Sequence, residues 1–329
     1  MIDQLVAQID DLNKYDGGGT TSKCYCIGNY ALLYGSIRHE SIAQRKAALE
    51  KYLSAGIQLA PILEYQFDPN AEVREYGEET SYQDGWILQK RALGTEIYKS
   101  WHKGSDICSL EEIDSQITSY FNELDKYITL IQKFANMPQE QLNKFIKGYF
   151  MLNQSELLVD PSKPTNFFYD EEYGFTFIDL QIKETNMNNE YNQPKWSAKY
   201  VTMLLMPFLP TIKLYQEGYN RSGATEYIDG MFSIKEHQAI TEAQQQLINK
   251  LKIGFTNNGL DRSIIEEIIA ERKEKFEVLN QAPYNDEQEI SAIIKSKLSF
   301  IIANNIDNNV VSDAELSKSY TSPFDGMTI

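Results

Sequence analysis

The hydrophobic pattern of this chain changes its period near Gly104, and that change constrains the fold more than any other feature. From Lys14 to Ile97 short apolar runs alternate with turn residues, a pattern typical of β-strands. One interruption, HESIAQRKAALEKYLSAG at residues 39–56, has the Ala, Leu, Glu and Lys content of a helix. After Gly104 the apolar residues recur with a period of about 3.6, which indicates helices. We therefore predict an α+β chain with a small antiparallel sheet and one helix, followed by a larger, mostly helical part.

Charge and composition exclude several classes of partner. The chain of 329 residues has a net charge of −16, so it lacks the clustered Lys and Arg that broad binding to a nucleic-acid backbone requires. No apolar run approaches the roughly 18 residues that span a bilayer, and the N-terminal stretch is acidic where a secretory signal is basic. Cys24, Cys26 and Cys108 suit a reducing compartment, and no matching Cys or His pair completes a zinc site. We expect no nucleic-acid partner, no membrane partner and a cytoplasmic location, with delivery into another cell as an effector left open.

A β-hairpin is predicted inside the helical half. The strand patterns NFFYD and FTFID flank the turn EEYG within residues 166–179, so antiparallel pairing brings Asn166 beside Asp179 at the open end. We expect Phe168, Phe175 and Phe177 to anchor the hairpin on the helices. An amide oxygen and a carboxylate are ligands of the hard type that Mg²⁺ takes alongside water and phosphate oxygens. Taken singly, Asn166 and Asp179 are better explained as turn and cap residues than as ligands, so a plain surface turn stays open here.

A family resemblance rests on this hairpin and on the order of motifs before it. Lys163-Pro164-Thr165-Asn166, followed by Asp179, resembles the catalytic loop and metal-binding segment of protein kinases and kinase-like phosphotransferases. GGGTTSKCYCIGNYALL at residues 17–33 resembles their glycine-rich loop with its flanking strands. The resemblance implies a protein kinase-like two-lobe fold. It places the N-lobe at residues 1–94, a helical C-lobe with the catalytic-loop hairpin at 95–280, and a C-terminal extension at 281–329.

The resemblance also implies roles for single residues. Asn166 and Asp179 would hold Mg²⁺, or Mn²⁺, while Asp160 would accept the proton of the acceptor hydroxyl and Lys163 would assist at the phosphates. The implied ATP-binding set is Gly17, Gly18 and Gly19 over the phosphates, Lys23 beside them, Gln89 as gatekeeper, Lys90 to Ala92 as the hinge that meets adenine, and Glu96 at the ribose.

The cationic part of the site departs from the family pattern. Tyr34 stands where the family has a strand lysine, and a tyrosine supplies no fixed positive charge. Lys23 is the nearest candidate to replace that lysine, with Lys46 and Lys51 on the helix behind it. All three are better explained as solvated surface lysines, because lysines are mostly exposed. Glu50 is the helix glutamate that we expect to face the site.

The catalytic segment departs from the pattern as well. Asp160 lies one residue earlier than the family's catalytic aspartate, whose place is held by Pro161, so an ordinary Asp-Pro turn is as good an explanation. The Asp-Phe-Gly step is Asp179-Leu180-Gln181, and no Ala-Pro-Glu step follows in residues 182–196.

Three functions follow from these observations. The first is transfer of the γ-phosphate of Mg-ATP to a protein or small-molecule hydroxyl. The second is a catalytically impaired pseudokinase that acts as a nucleotide-binding or protein-interaction module. The third is transfer of AMP to a protein, which no residue singles out.

Overall fold

The computed structural model describes residues 17–18, 22–38, 42–75, 81–97, 113–158, 166–183, 193–207, 212–214, 226–228, 234–274 and 286–308. The helices are α1 (Ile42–Ser54), α2 (Ile113–Asn136), α3 (Gln139–Asn153), α4 (Pro194–Leu205), α5 (Ile234–Asn257), α6 (Arg262–Glu274) and α7 (Glu287–Asn308). The strands are β1 (Gly17–Gly18), β2 (Ser22–Ile27), β3 (Tyr30–Arg38), β4 (Ile62–Phe67), β5 (Arg74–Glu75), β6 (Ser81–Lys90), β7 (Thr95–Glu96), β8 (Leu157–Leu158), β9 (Phe167–Asp170), β10 (Gly174–Phe177), β11 (Gln181–Ile182), β12 (Ile212–Leu214) and β13 (Glu226–Ile228). The chain is therefore α+β, as predicted.

The described residues divide into two compact units, and neither unit is continuous in sequence. The first comprises Met1–Lys99, Met137–Leu204 and Lys250–Ile268, and the second comprises Ser100–Asn136, Leu205–Asn249 and Ile269–Ile329. The predicted lobe boundaries at residues 94 and 280 stay a prediction. Among the helices that the structure describes, none combines the length and apolar character needed to cross a membrane.

The antiparallel sheet of the first unit runs in the order β1-β2-β3-β6-β4, with β5 also paired to β6. Its longest ladder joins β3 to β6, from Tyr30 opposite Lys90 to Arg38 opposite Tyr82. The one helix interrupting the strands, α1, lies between β3 and β4 in sequence, as the residue pattern predicts. This helix buries Ile42, Ala48, Leu49 and Tyr52, which recur at the spacing of one helical face.

The predicted β-hairpin is confirmed as β9 and β10, which pair antiparallel from Phe167 opposite Phe177 to Asp170 opposite Gly174. It packs on α3 through aromatic rings: Phe145 of α3 stacks on Phe175 with ring centres 4.0 Å apart and on Phe177 at 5.5 Å.

The aromatic anchor on β9 differs from the prediction. Phe167 is 1% exposed and takes the anchoring position expected for Phe168, which is only half-buried. The reason is cross-strand pairing: Phe167 and Tyr169 lie opposite Phe177 and Phe175, and residues directly opposite each other share a face of the sheet. Phe168 therefore faces the other side.

The segment between α1 and β4 is tied to β10. Leu59 forms an isolated parallel bridge with Phe177. The Phe177 N–H donates to the Gln58 carbonyl at 3.1 Å, and the Ala60 N–H donates to the Phe177 carbonyl at 3.3 Å. The side-chain amide of Gln58 adds a 2.7 Å hydrogen bond to the Thr176 hydroxyl. These bonds connect the C-terminal end of α1 to the strand that precedes Asp179.

The second unit contains the long helices α2 and α7 and the β12–β13 pair. Lys295 of α7 lies 2.9 Å from Asp114 of α2. The buried guanidinium of Arg272 donates from Nε to the Met206 carbonyl at 2.6 Å. Tyr127 is fully buried, and this burial raises the pKa of its phenol.

Candidate functional site

The open end of the hairpin brings the backbones of the two predicted metal ligands together. The Ile178 N–H donates to the Asn166 carbonyl at 2.9 Å, which extends the β9–β10 ladder by one pair and leaves Asp179 as the next residue. Asn166 is 8% exposed, whereas the Asp179 side chain is 44% exposed. The predicted convergence of Asn166 and Asp179 at the open end of the hairpin is therefore found in the backbone.

The backbone of Asp179 is in an uncommon conformation. Its φ is 51°, and among the described residues it is the one non-glycine with a positive φ. Aspartate tolerates this left-handed region better than most residues, but the conformation still costs free energy and tends to occur where a side chain must be aimed. The surrounding structure thus fixes Asp179 in a direction that ordinary strand geometry would not give.

Arg45 of α1 is the cation that the structure places beside Asp179. Its Nη2 lies 4.0 Å from the Asp179 Oδ1, and its side chain is 14% exposed. Burial lowers the pKa of Arg45 below the usual arginine range, and the Asp179 carboxylate opposes that shift. Sequence reasoning considered only lysines for this position and missed Arg45. A signal was present: Arg45 is three residues after Ile42 and four before Leu49, so it lies on the buried face of α1.

A cavity of about 170 Å³ lies between the sheet, α1 and the segment after β10. Its apolar wall is formed by side chains of β3, α1 and β6, among them Leu33 and Ile87. The polar residues that line it are Ser22, Ser36, Arg38, Arg45, Tyr82, Asp179 and Gln181. Sites for whole drug-sized ligands occupy roughly 300–1,000 Å³, so this cavity has room for a small polar group or one end of a larger ligand.

The predicted replacement lysines on α1 are engaged elsewhere. Lys46 Nζ donates to the Leu63 carbonyl at 2.9 Å, and Lys51 Nζ lies 3.2 Å from Glu156 Oε1. Glu50, expected to face the site, instead has a 59% exposed side chain and lies 4.0 Å from Lys46. The expectation for Glu50 is therefore wrong, because the buried face of α1 runs through Ile42, Arg45 and Leu49 and leaves Glu50 on the solvent side.

Tyr34 and Lys23 lie on exposed parts of the sheet. They are direct cross-strand partners on β3 and β2, and Tyr34 is 57% exposed. The residues of β3 that line the cavity are Leu33, Ser36, Ile37 and Arg38, and Tyr34 is not among them. Because adjacent strand residues point to opposite faces, Tyr34 is directed away from the face that carries Leu33.

The remaining predicted residues are only partly within the described chain. Gly17 and Gly18 form β1, opposite Cys24 and Lys23 of β2. Gly19, Asp160 and Lys163 lie outside the described residues, so their roles stay predictions. The backbone of Glu96 pairs with Phe168, and its side chain lies outside the described part.

The predicted gatekeeper and the first residue of the predicted hinge are the last two residues of β6, and the rest of the hinge follows the strand. Gln89 is half-buried and lies opposite Ala31 of β3. The Lys90 N–H donates to the Pro61 carbonyl at 3.1 Å, and the Arg91 N–H donates to the Asn29 carbonyl at 2.9 Å. Two of the three backbone N–H groups in the predicted hinge therefore donate to carbonyls of the chain itself. Ala92 is the third residue of that hinge.

The donor set fits a divalent metal bound jointly with phosphate better than a metal held by protein alone. Within the described ranges, no group of three or more His, Cys, Asp and Glu side chains is arranged to hold a metal ion. Cys24 and Cys26 of β2 form no disulfide. Mg²⁺ commonly takes one or two protein oxygen ligands and completes its shell with water and phosphate oxygens. Asp179, with an exposed carboxylate beside Asn166, meets that requirement.

Comparison with known proteins adds little to this description. No protein-family model matches the chain, and no curated protein matches it. Among solved structures it is similar to an amicoumacin kinase in complex with AMP-PNP, Ca²⁺ and Ami, over 88% of this chain and 100% of that chain, with 11% sequence identity and a TM-score of 0.23. A likeness at that score carries no argument about fold or activity, so the site has to be interpreted from its own residues.

Proposed function

We propose that this chain is an atypical kinase-like phosphotransferase that transfers the γ-phosphate of Mg-ATP to a protein or small-molecule hydroxyl. The observation that carries the proposal is the open end of the β9–β10 hairpin. There the Asn166 carbonyl accepts a hydrogen bond from Ile178, and Asp179 follows with a φ of 51°. An oxygen-donor pair held by a rigid hairpin is what metal-assisted phosphoryl transfer requires of the protein.

The order of elements supports the same proposal. A short glycine strand, β2 and β3 come first, followed by α1, then β4 and β6, and the hairpin comes after two helices. This is the order on which the resemblance to kinase-like phosphotransferases rests. In this proposal Gly17 and Gly18 cover the phosphates, and recognition of adenine by a hinge N–H falls to Ala92.

Each polar residue then has a defined task. Asn166 and Asp179 would hold the metal, which when bound neutralises charge on the phosphate oxygens. Asp160 would orient the acceptor hydroxyl and accept its proton, and Lys163 would lie near the transferred phosphate. Phosphoryl transfer depends mainly on such positioning and charge neutralisation, so it needs no covalent intermediate on the protein.

A pseudokinase is the second candidate, and one contact favours it. The Arg45 guanidinium lies 4.0 Å from the Asp179 carboxylate. A cation at that distance competes with a metal for the same oxygens, so a chain that has lost catalysis would keep Asp179 neutralised in this way.

The deciding experiment compares wild type with Asp179→Asn. Asparagine also tolerates a left-handed backbone, so this variant removes the charge while keeping the local fold. Asp170→Asn is the matched control: Asp170 is at the turn end of the same hairpin, where its Oδ1 accepts from the Glu172 N–H, a bond that an amide oxygen also accepts. Calorimetric titration with ATP, with and without Mg²⁺ or Mn²⁺, measures binding, and ATP labelled separately at the α- and γ-phosphates measures transfer.

The outcomes separate the candidate functions. We expect metal-dependent ATP binding and γ-label transfer in wild type and in Asp170→Asn, and loss of both in Asp179→Asn. Turnover that survives in Asp179→Asn would contradict the metal assignment. Metal-dependent binding without transfer to water, protein or small-molecule hydroxyls would favour the pseudokinase, and α-label on protein without γ-label would mean AMP transfer.

A further inference from the structure

We propose that Arg45 of α1 is the phosphate-binding cation of this chain, and that it takes the place of the strand lysine that is absent from β3. The inference deepens the proposed function and rests on it for the identity of the ligand. It assigns the cavity beside Asp179 to the anionic end of the nucleotide, with the guanidinium as its main donor.

The first reason is that the position of Arg45 is costly without a ligand. Its side chain is 14% exposed, and the Asp179 Oδ1 is 4.0 Å from its Nη2, at the outer limit of an ion pair. Its Nε is buried and has no hydrogen-bond partner among the residues that the structure describes. A guanidinium has five N–H donors, and leaving a buried donor unsatisfied destabilises the folded chain. An anion in the cavity would satisfy donors that the protein leaves unused.

The second reason is the shape and lining of the cavity. Its volume of about 170 Å³ suits a phosphate group rather than a whole nucleotide. A second arginine, Arg38, also lines it, as do the Ser22 and Tyr82 side chains, whose hydroxyls can donate to phosphate oxygens. Arginine presents paired N–H groups that match two oxygens of one phosphate, which a lysine at the same place would not do.

The third reason is that the two lysines of α1 nearest to Arg45 in sequence are engaged elsewhere. Lys46 and Lys51, its neighbours on α1, are held by the Leu63 carbonyl and by Glu156. Of the β3 residues that line the cavity, Leu33, Ser36 and Ile37 carry no charge and Arg38 is a cation. Within the described residues, therefore, the cations that line the cavity are Arg45 and Arg38.

The test uses three full-length variants. Arg45→Met removes the charge and keeps an unbranched apolar stem, and Arg45→Lys keeps the charge but loses the paired donors. Arg262→Met, at the exposed start of α6, is the control for loss of one positive charge. Calorimetry measures binding of Mg-ATP, of adenosine and of inorganic triphosphate with Mg²⁺, and circular dichroism checks that each variant is folded.

We expect Arg45→Met to weaken the binding of Mg-ATP and of triphosphate by about tenfold or more, because the variant loses a hydrogen bond from a charged donor. The affinity for adenosine, which has no phosphate, should not change. Arg45→Lys should fall between Arg45→Met and wild type, and Arg262→Met should match wild type. Equal triphosphate affinity in Arg45→Met and wild type would overturn the inference, as would a wild type that binds no triphosphate. A wild type that binds triphosphate through Arg45 but binds no ATP would instead reject the proposed function and keep the anion site.

Discussion

Replacing Gly94 by alanine should disrupt the connection between the predicted hinge and the β9–β10 hairpin. Gly94 has a φ of +86°, and a Cβ built on it would lie 2.0 Å from the Tyr169 carbonyl oxygen and 2.7 Å from the Asp170 nitrogen. Real Cβ atoms essentially never approach closer than 3.0 Å, so the two backbones must separate by about 1.0 Å (3.0 minus 2.0) to accept the methyl group. Both contacts are to backbone atoms, which cannot rotate out of the way.

The expected cost has two parts. The left-handed conformation costs an alanine about 1–2 kcal/mol. A separation of 1 Å also stretches the short β7–β9 ladder, in which Thr95 lies opposite Tyr169 and Glu96 opposite Phe168, beyond hydrogen-bonding distance. Each such bond contributes a net free energy of about 1 kcal/mol, so the ladder adds about 2 kcal/mol. Gly94→Ala should therefore lower the free energy of unfolding by about 3–4 kcal/mol.

Gly56→Ala is the matched control for the first part of that cost. Gly56 has a φ of +85°, one degree from Gly94, and nothing lies within 4 Å of its added Cβ. Alanine at Gly56 should therefore cost only the conformational part, about 1–2 kcal/mol. Urea denaturation followed by tryptophan fluorescence, to which Trp86 of β6 and Trp196 of α4 in the same unit contribute, measures both variants. Equal midpoints for Gly94→Ala and Gly56→Ala would refute the steric reasoning.

Three further predictions concern the packing and polar contacts of the first unit. Phe145→Ala removes the ring that stacks on Phe175 at 4.0 Å, and because Phe145 is 3% exposed we expect a loss of about 3–5 kcal/mol in the same urea assay. Burial raises the pKa of Glu156, but hydrogen bonds, one of them from Tyr52, outweigh this and leave the pKa below its usual value of 4.5. The stabilising contribution of the Glu156 carboxylate is therefore fully present above about pH 4.5 and is lost as the pH falls through the lowered pKa. The free energy lost is under about 1 kcal/mol, because the carboxylate is partly exposed. Between about pH 7 and pH 3, the melting temperature of Glu156→Gln should fall less with acidification than that of wild type. Identical pH profiles of the melting temperature for the two proteins would exclude this contribution. Asn153→Ala should cost about 1–3 kcal/mol, because it deletes the buried 2.8 Å bond to the Ser197 hydroxyl, and an unchanged urea midpoint would contradict this.

The hairpin and the strand-rich first third of the chain could be predicted because their signals are local. Alternating aromatic residues on either side of a glycine-containing turn specify an antiparallel pair whatever the rest of the fold does. The anchoring face was harder, and Phe167 rather than Phe168 is buried, because the choice of face depends on which helix packs against the hairpin. That is a tertiary property, and residues 166–170 place an aromatic ring on each face, Phe167 and Tyr169 on one and Phe168 on the other.

The cation of the site could not be found by matching motifs. The family pattern directs attention to a lysine on β3, where this chain has Tyr34, and then to other lysines. Arg45 becomes visible only when α1 is considered as a helix with a buried face, on which a charged residue needs a partner. That partner, Asp179, is 134 residues further along the chain (179 minus 45), so no local pattern connects the two.

The bonds between the α1–β4 segment and β10 have a consequence for how the chain can vary in length. Residues 58 and 60 pair with Phe177, so the number of residues from Arg45 to Gln58 and from Phe177 to Asp179 sets where the guanidinium and the carboxylate meet. An insertion in either stretch would move one partner away from the other, even if every side chain were kept. We therefore expect related sequences to vary in length at the exposed turn at residues 68–70, and to keep the lengths of these two stretches fixed.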